Sequence, residues 1–144
     1  MAKPMTAAVF ADSGDTPHHG QYRYAGGTLA RNGGSLVCLG SGGRWPLALV
    51  EAALGMRDKV TVITTKAHER LDLPHGVTVE VAEDQAAAAL RAVNMSDVIV
   101  GLPANFDTNG ALYSAWVAAG GAKSGKPVGL LNRKQAFEVV RGFI

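Results

Sequence analysis

Short β-type apolar runs alternate with helix-patterned segments from one end of this chain to the other. Residues 6–11 (TAAVFA), 35–39 (SLVCL), 60–65 (VTVITT), 77–81 (VTVEV), 97–102 (DVIVGL) and 128–131 (VGLL) read as strands. They are short and rich in Val and Ile, and several are continuously apolar, as strands covered on both faces are. Between them, residues 21–31 pattern as a helix weakened by Gly26 and Gly27. Pro46 fits the first turn of a helix that carries Leu47, Val50, Ala53 and Leu54. Asp84 is placed to cap an Ala-rich helix running to about Met95. Leu112, Tyr113, Trp116 and Val117 give a further helix its apolar face, with Asp107 or Thr108 as its cap. Phe137, Val139 and Val140 predict a final short helix. The alternation predicts an α/β fold, a single doubly wound domain over residues 1–144, with a mostly parallel sheet and helices on both faces.

Composition narrows the function classes. Apolar residues are 47% of 144, enough for a buried core. Lys and Arg number 14 against 12 Asp and Glu, a net +2, so charge does not call for a nucleic-acid partner. No apolar stretch approaches the roughly 20 residues that span a bilayer. The first six residues carry one Lys and no signal-peptide core. The expectation is a soluble cytoplasmic protein with neither nucleic acid nor membrane as partner. Cys38 is the one cysteine; it has no internal disulfide partner and reads as a core residue. His18 and His19 are adjacent, and His68 and His75 lie apart, which is no zinc spacing. No metal and no cofactor is expected.

The 18 glycines cluster at residues 26–27, 33–34, 40–43 and 120–121, and a cluster that follows a strand suggests a loop meeting a ligand. Doubly wound sheets bind ligands beyond the carboxyl ends of their strands. Three loops lie there, at residues 12–15, 40–44 and 103–108. Gly40, Ser41, Gly42 and Gly43 join a strand to a helix, where backbone amides and the helix start can cradle a phosphate. Arg44 adds positive charge. The same residues also suit a tight turn. Neither the Gly-x-Gly-x-x-Gly spacing nor a Walker Lys-Ser/Thr is present. Ser13 and Gly14 from the first loop and Pro103, Asn105 and Thr108 from the third complete the candidate ligand-binding set. Ordinary helix capping accounts for the third loop equally well, and Asp107 there repels a bare anion. The pattern assigns no catalytic residue.

These segments resemble the Lonely-Guy phosphoribohydrolases, also labelled lysine-decarboxylase-like proteins, within a wider group of Rossmann-like nucleotide binders. Residues 9–14 (VFADSG) are similar to the family's first strand and its Val-Phe-Cys-Gly-Ser-Ser loop. Residues 29–54 align without a gap to its Gly-Gly-Gly-Ser-x-Gly-Leu-Met-Gly segment. Residues 97–108 (DVIVGLPANFDT) resemble the strand leading into its Pro-Gly-Gly-x-Gly-Thr-x-x-Glu motif, and residues 126–132 (KPVGLLN) its last strand. In that motif Pro103 and Thr108 remain, while Ala104, Asn105 and Asp107 replace the glycines. The family's glutamate falls on Ala111, and its catalytic arginine on Ala88, with Arg91 one turn further on. Arg44 and Trp45 stand where the family has Gly and Leu, and the resemblance stops before its terminal helices.

The resemblance implies a Rossmann-like fold and a pocket for a phosphorylated, nucleotide-like small molecule. Cleaving an N-glycosidic bond needs a carboxylate beside the developing oxocarbenium, which alanine cannot supply. The reading is therefore a binder without efficient hydrolysis. One alternative is a nucleoside 5′-monophosphate phosphoribohydrolase that uses Asp107 or Asp12 instead. Another is a molybdenum-cofactor carrier, a group to which the chain is also similar, or a regulatory homodimer with a vestigial pocket. Family members dimerise through helices beside the motif, so the resemblance implies a homodimer or higher homo-oligomer with the Tyr113/Trp116 face as its expected surface.

Overall fold

The computed structural model describes residues 5–14, 16–31, 34–55, 59–131 and 137–140. Its elements are β1 (Thr6–Phe10), α1 (His19–Arg31), β2 (Ser35–Leu39), α2 (Leu47–Gly55), β3 (Lys59–Thr65), β4 (Val77–Ala82), α3 (Gln85–Asn94), β5 (Val98–Gly101), α4 (Phe106–Ala118), β6 (Val128–Leu131) and β7 (Phe137–Val140). The strands lie in the order β4-β3-β2-β1-β5-β6-β7. Pairing is parallel from β4 through to β6, and β7 joins antiparallel. This is a Rossmann-like α/β fold. Among the described residues no helix is long and apolar enough to cross a membrane.

Strand alternation divides the core in two. On one face Ala7, Val9, Leu36, Cys38, Val60 and Val62 pack under α1 and α2. On the other, Ala8, Phe10, Val37, Ile63 and Ile99 pack under α3 and α4. Both sides of β1 and β2 are thus sealed, which is why their sequences are continuously apolar. Cys38 is fully buried, and burial pushes its thiol pKa up to about 12. Trp116 belongs to the second core at 5% exposure, whereas its ring neighbour Tyr113 is 48% exposed. The expected Tyr113/Trp116 surface is therefore Tyr113 with Phe106 and Val117, and Trp116 is a core residue.

The final helix expected from Phe137, Val139 and Val140 is instead β7, with Val128 opposite Val140 and Leu131 opposite Phe137. Four residues are too few to nucleate a stable helix in water. Pairing with the open edge of β6 gives their backbone groups partners, and β-branched valines suit a strand.

Gly26 has the opposite effect to that expected. It is buried in α1, and a Cβ there would lie 2.5 Å from the Leu49 carbonyl oxygen and 3.1 Å from the Ala52 Cβ of α2. The glycine lets the two helices close on each other. At Gly27 a Cβ would meet nothing within 4 Å.

Tyr22 of α1 is fully buried. Its hydroxyl accepts from the Asp12 amide at 2.8 Å and donates to the Pro103 carbonyl at 2.9 Å. One phenol thus ties the residues following β1 to those following β5. Burial first, and then the Asp12 charge, raise its pKa above 10.0, against lowering by its hydrogen bonds. A raised folded-state pKa means that the neutral phenol's contribution is complete below the unfolded value and is lost as pH rises through the folded one.

Two predictions come from these contacts. Gly26→Ala lowers stability by about 1–3 kcal/mol through overpacking. Gly27→Ala raises it by about 0.5–1 kcal/mol, and thermal unfolding of the pair separates a packing glycine from a merely flexible one. Tyr22→Phe costs about 1–3 kcal/mol at neutral pH, because it leaves a part-buried amide and carbonyl without their partner. The gap between wild type and Tyr22→Phe then narrows above pH 10, which denaturant titrations across the alkaline range will show.

Candidate functional site

From β1 the chain winds outward through β2, β3 and β4, then returns to place β5 on the other side of β1. The loops leaving β1 and β5 therefore run to opposite faces and open a crevice between them. A cavity of about 210 Å³ lies at this carboxyl end. Phe10, Leu39 and Ala111 supply apolar wall, and Ser13, Ser41, Gln85, Asn105, Asp107 and Thr108 supply polar groups. Its size is below the roughly 300–1,000 Å³ of drug-sized pockets, so it suits a small ligand or one end of a larger one.

Four residues expected from sequence, Ser13, Ser41, Asn105 and Thr108, line this cavity together. Gly14, Gly40, Gly42, Gly43, Arg44 and Pro103 are not among the described residues that line it. Gly14 donates its amide to the Trp45 carbonyl at 2.9 Å, joining the first loop to the second. The Arg44 side chain lies over Gly14, with Cδ and Nη1 3.0 and 3.2 Å from where a Cβ would stand. Pro103 contributes the carbonyl that Tyr22 holds.

The residue 40–44 loop is a small hairpin. Ser41 and Arg44 exchange amide-to-carbonyl hydrogen bonds of 2.9 and 3.1 Å, and Gly42 and Gly43 form the tip at φ 61° and 79°. The Gly40 amide donates to the Ile63 carbonyl at 2.8 Å. The amides of Gly40, Ser41 and Arg44 are thus held by the fold, and Ser41 is the residue of this loop that lines the cavity.

The third loop is capped by neither Asp107 nor Thr108. Asn105 is the N-cap of α4: its backbone is extended, and its Oδ1 accepts the Thr108 amide at 2.9 Å. The cap sits at Asn105 because the acceptor must precede the third helical amide. Asp12 completes the arrangement. Its carboxylate accepts the Asn105 amide at 3.2 Å and the Thr108 hydroxyl at 2.7 Å. Asp12 therefore crosses from the β1 loop to the start of α4, and is engaged in holding it.

Two further residues enter the site. Gln85, the first residue of α3, lines the cavity and donates to the Gly40 carbonyl at 3.2 Å. The signal was its place directly after the Asp84 cap, whose carboxylate accepts the Ala87 amide at 2.8 Å. Ala111 presents a methyl to the cavity one turn beyond Asp107. Of the histidines, His68 lies by the hairpin, its Nδ1 3.6 Å from a Cβ at Gly43, and the His18 ring is 6.4 Å from that of Tyr22. Among the described residues no three His, Cys, Asp or Glu side chains gather as a metal site.

No protein-family model matches the sequence, and no curated protein matches it. Solved structures share its architecture. The X-ray structure of the protein TM1055 superposes with a TM-score of 0.69 at 20% identity, over 92% of this chain and 76% of that one. The molybdenum cofactor carrier protein of Chlamydomonas reinhardtii gives a TM-score of 0.63 at 16% identity, over 89% and 76%. DNA processing protein A of Helicobacter pylori, described with its single-stranded DNA binding mode, gives 0.55 at 18%, over 90% and 66%. At these identities the likeness shows a common Rossmann-like fold.

Proposed function

We propose that the protein binds a small phosphorylated, nucleotide-like molecule in the crevice at the carboxyl ends of β1, β2 and β5, and holds it without cleaving it. The observation that carries this reading is the convergence of hydroxyls and amides from four separate segments, at Ser13, Ser41, Gln85 and the Asn105–Thr108 turn, on one cavity at the switch point. Such a lining suits sugar hydroxyls and base edges. The ligand's phosphate would lie on the Ser13/Ser41 wall, beside which Arg44 stands. Binding without cleavage follows from Ala111, which offers a glycosidic centre no carboxylate.

A carrier role is the second reading. A carrier needs affinity without chemistry, and the solved carrier that shares this fold is named for molybdenum cofactor, a phosphorylated pterin. Hydrolysis is the third, and it would rest on Asp107, the carboxylate that lines the cavity. The exposed Phe106, Tyr113 and Val117 of α4 are the surface on which we expect a homodimer.

Thermal unfolding against nucleoside mono-, di- and triphosphates, pyridine dinucleotides and a molybdopterin analogue tests these readings together. A ligand at about 100 times its dissociation constant adds roughly 2.7 kcal/mol and raises the midpoint by a few degrees. We expect one ligand class to shift it. Ser13→Ala and Ser41→Ala each weaken that ligand by about three- to tenfold, the loss of one hydrogen bond. No free base is released from nucleoside monophosphates. An unshifted midpoint across the panel overturns the binding reading, and base release that disappears in Asp107→Ala establishes the hydrolase.

A further inference from the structure

The start of α4 is where a doubly wound fold most readily receives an anion, because the helix directs its first amides and its positive end there. In this chain the position already holds one. The Asp12 carboxylate accepts the Asn105 amide through both oxygens at 3.2 Å and the Thr108 hydroxyl through Oδ1 at 2.7 Å. The Asn105 side chain takes the Thr108 amide at 2.9 Å, and the Asn105 carbonyl takes that of Asn109 at 3.1 Å. Among the described residues the Phe106 and Asp107 amides are left with no acceptor within the protein.

The charges about the cavity run the same way. Asp107 is the single charged side chain among the described residues lining it, and it belongs to the first turn of α4. Two carboxylates thus stand at this end. Arg44 lies over Gly14, on the β1 side of the crevice, and among the described residues it forms no salt bridge with an acidic side chain. Asp12 is the better placed of the two carboxylates to act on a ligand. It is part-buried and fixed by three hydrogen-bond contacts, whereas Asp107 is exposed and more fully screened by solvent.

We propose that Asp12 is a specificity-determining residue: its carboxylate is a built-in anion that takes the place of a ligand phosphate at the start of α4. The crevice therefore accepts a ligand at this end only through neutral or hydrogen-bond-donating groups. A molecule carrying phosphate at both ends is refused. The proposal rests on reading the cavity as a ligand site, but the exclusion itself is a property of Asp12 and α4 alone.

The test is amide-resolved NMR of the full chain titrated with inorganic phosphate, in wild type, Asp12→Asn and Asp12→Ser. Asparagine keeps an Oδ1 acceptor for Thr108 and removes the charge. Serine also opens space. In wild type the Phe106 and Asp107 amides stay unmoved by phosphate. In the variants both amides shift, and phosphate binds about tenfold more tightly, the scale of removing one like charge near a protein surface. Movement of these two amides in wild type overturns the proposal, as does their silence in folded variants. If neither variant folds, the wild-type titration decides alone. Parallel titrations of wild type with adenosine and adenosine 5′-monophosphate follow Ser13 and Ser41. Silence there with both ligands counts against the cavity as a nucleotide site, while the gain of phosphate at Phe106 and Asp107 in the variants still stands or falls separately.

Discussion

The hydroxyl of Tyr22 stands between the carboxyl ends of two parallel neighbouring strands, β1 and β5. It accepts a hydrogen bond from the Asp12 amide and donates one to the Pro103 carbonyl, so the loops after β1 and β5 are set at a fixed separation. Those loops run to opposite faces of the sheet, and beyond the Leu102 amide's bond to the Phe10 carbonyl they are joined by the Tyr22 phenol and the Asp12 carboxylate. Everything that lines the crevice from these sides, Ser13 on one and Asn105 to Thr108 on the other, depends on that separation. The phenol can serve there because α1 approaches closely enough to bury it, and α1 is itself drawn in against α2 by the missing side chain at Gly26.

Polar groups near the crevice divide into those that hold the protein and those that face the space. The Gly40, Ser41 and Arg44 amides, the Gly14 amide, the Pro103 carbonyl and the Asp12 carboxylate are occupied with other groups of the chain. The side chains that line the cavity are themselves partly tied to this frame: Ser13 donates to the Leu39 carbonyl, Gln85 to that of Gly40 and Thr108 to Asp12, each keeping further hydrogen-bonding capacity. Recognition by short side chains on fixed backbone needs little ordering on binding, which favours affinity for a small molecule.

Much of the architecture was legible in the order of apolar runs. The expected strand at residues 60–65 is Lys59–Thr65, and the Ala-rich helix capped by Asp84 is Gln85–Asn94, with the cap where it was anticipated. Local chemistry sets these features, so local sequence reports them. The misreadings fall where a distant partner decides. Phe137 to Val140 carry no period long enough to choose helix or strand, and β6 chooses for them. Gly26 looks like a helix breaker until Leu49 and Ala52 are brought against it. Asp12 and Thr108 are 96 residues apart, and Gln85 and Gly40 are 45 apart, so neither contact has a local signature. The glycine-rich loop was visible as a loop, but the direction of its amides was not, since that is set by the Ser41–Arg44 pairing.

The sealed thiol in β2 makes the chain unusually easy to interrogate. Cys38 is the one cysteine, is fully buried between helix layers, and is held protonated at ordinary pH. Thiol reagents act on the thiolate, so the native protein presents them with almost no target. A cysteine introduced at any exposed position would carry the entire labelling signal. A fluorophore or spin label could then report on the rim of the crevice, one loop at a time, without first removing a residue from the core.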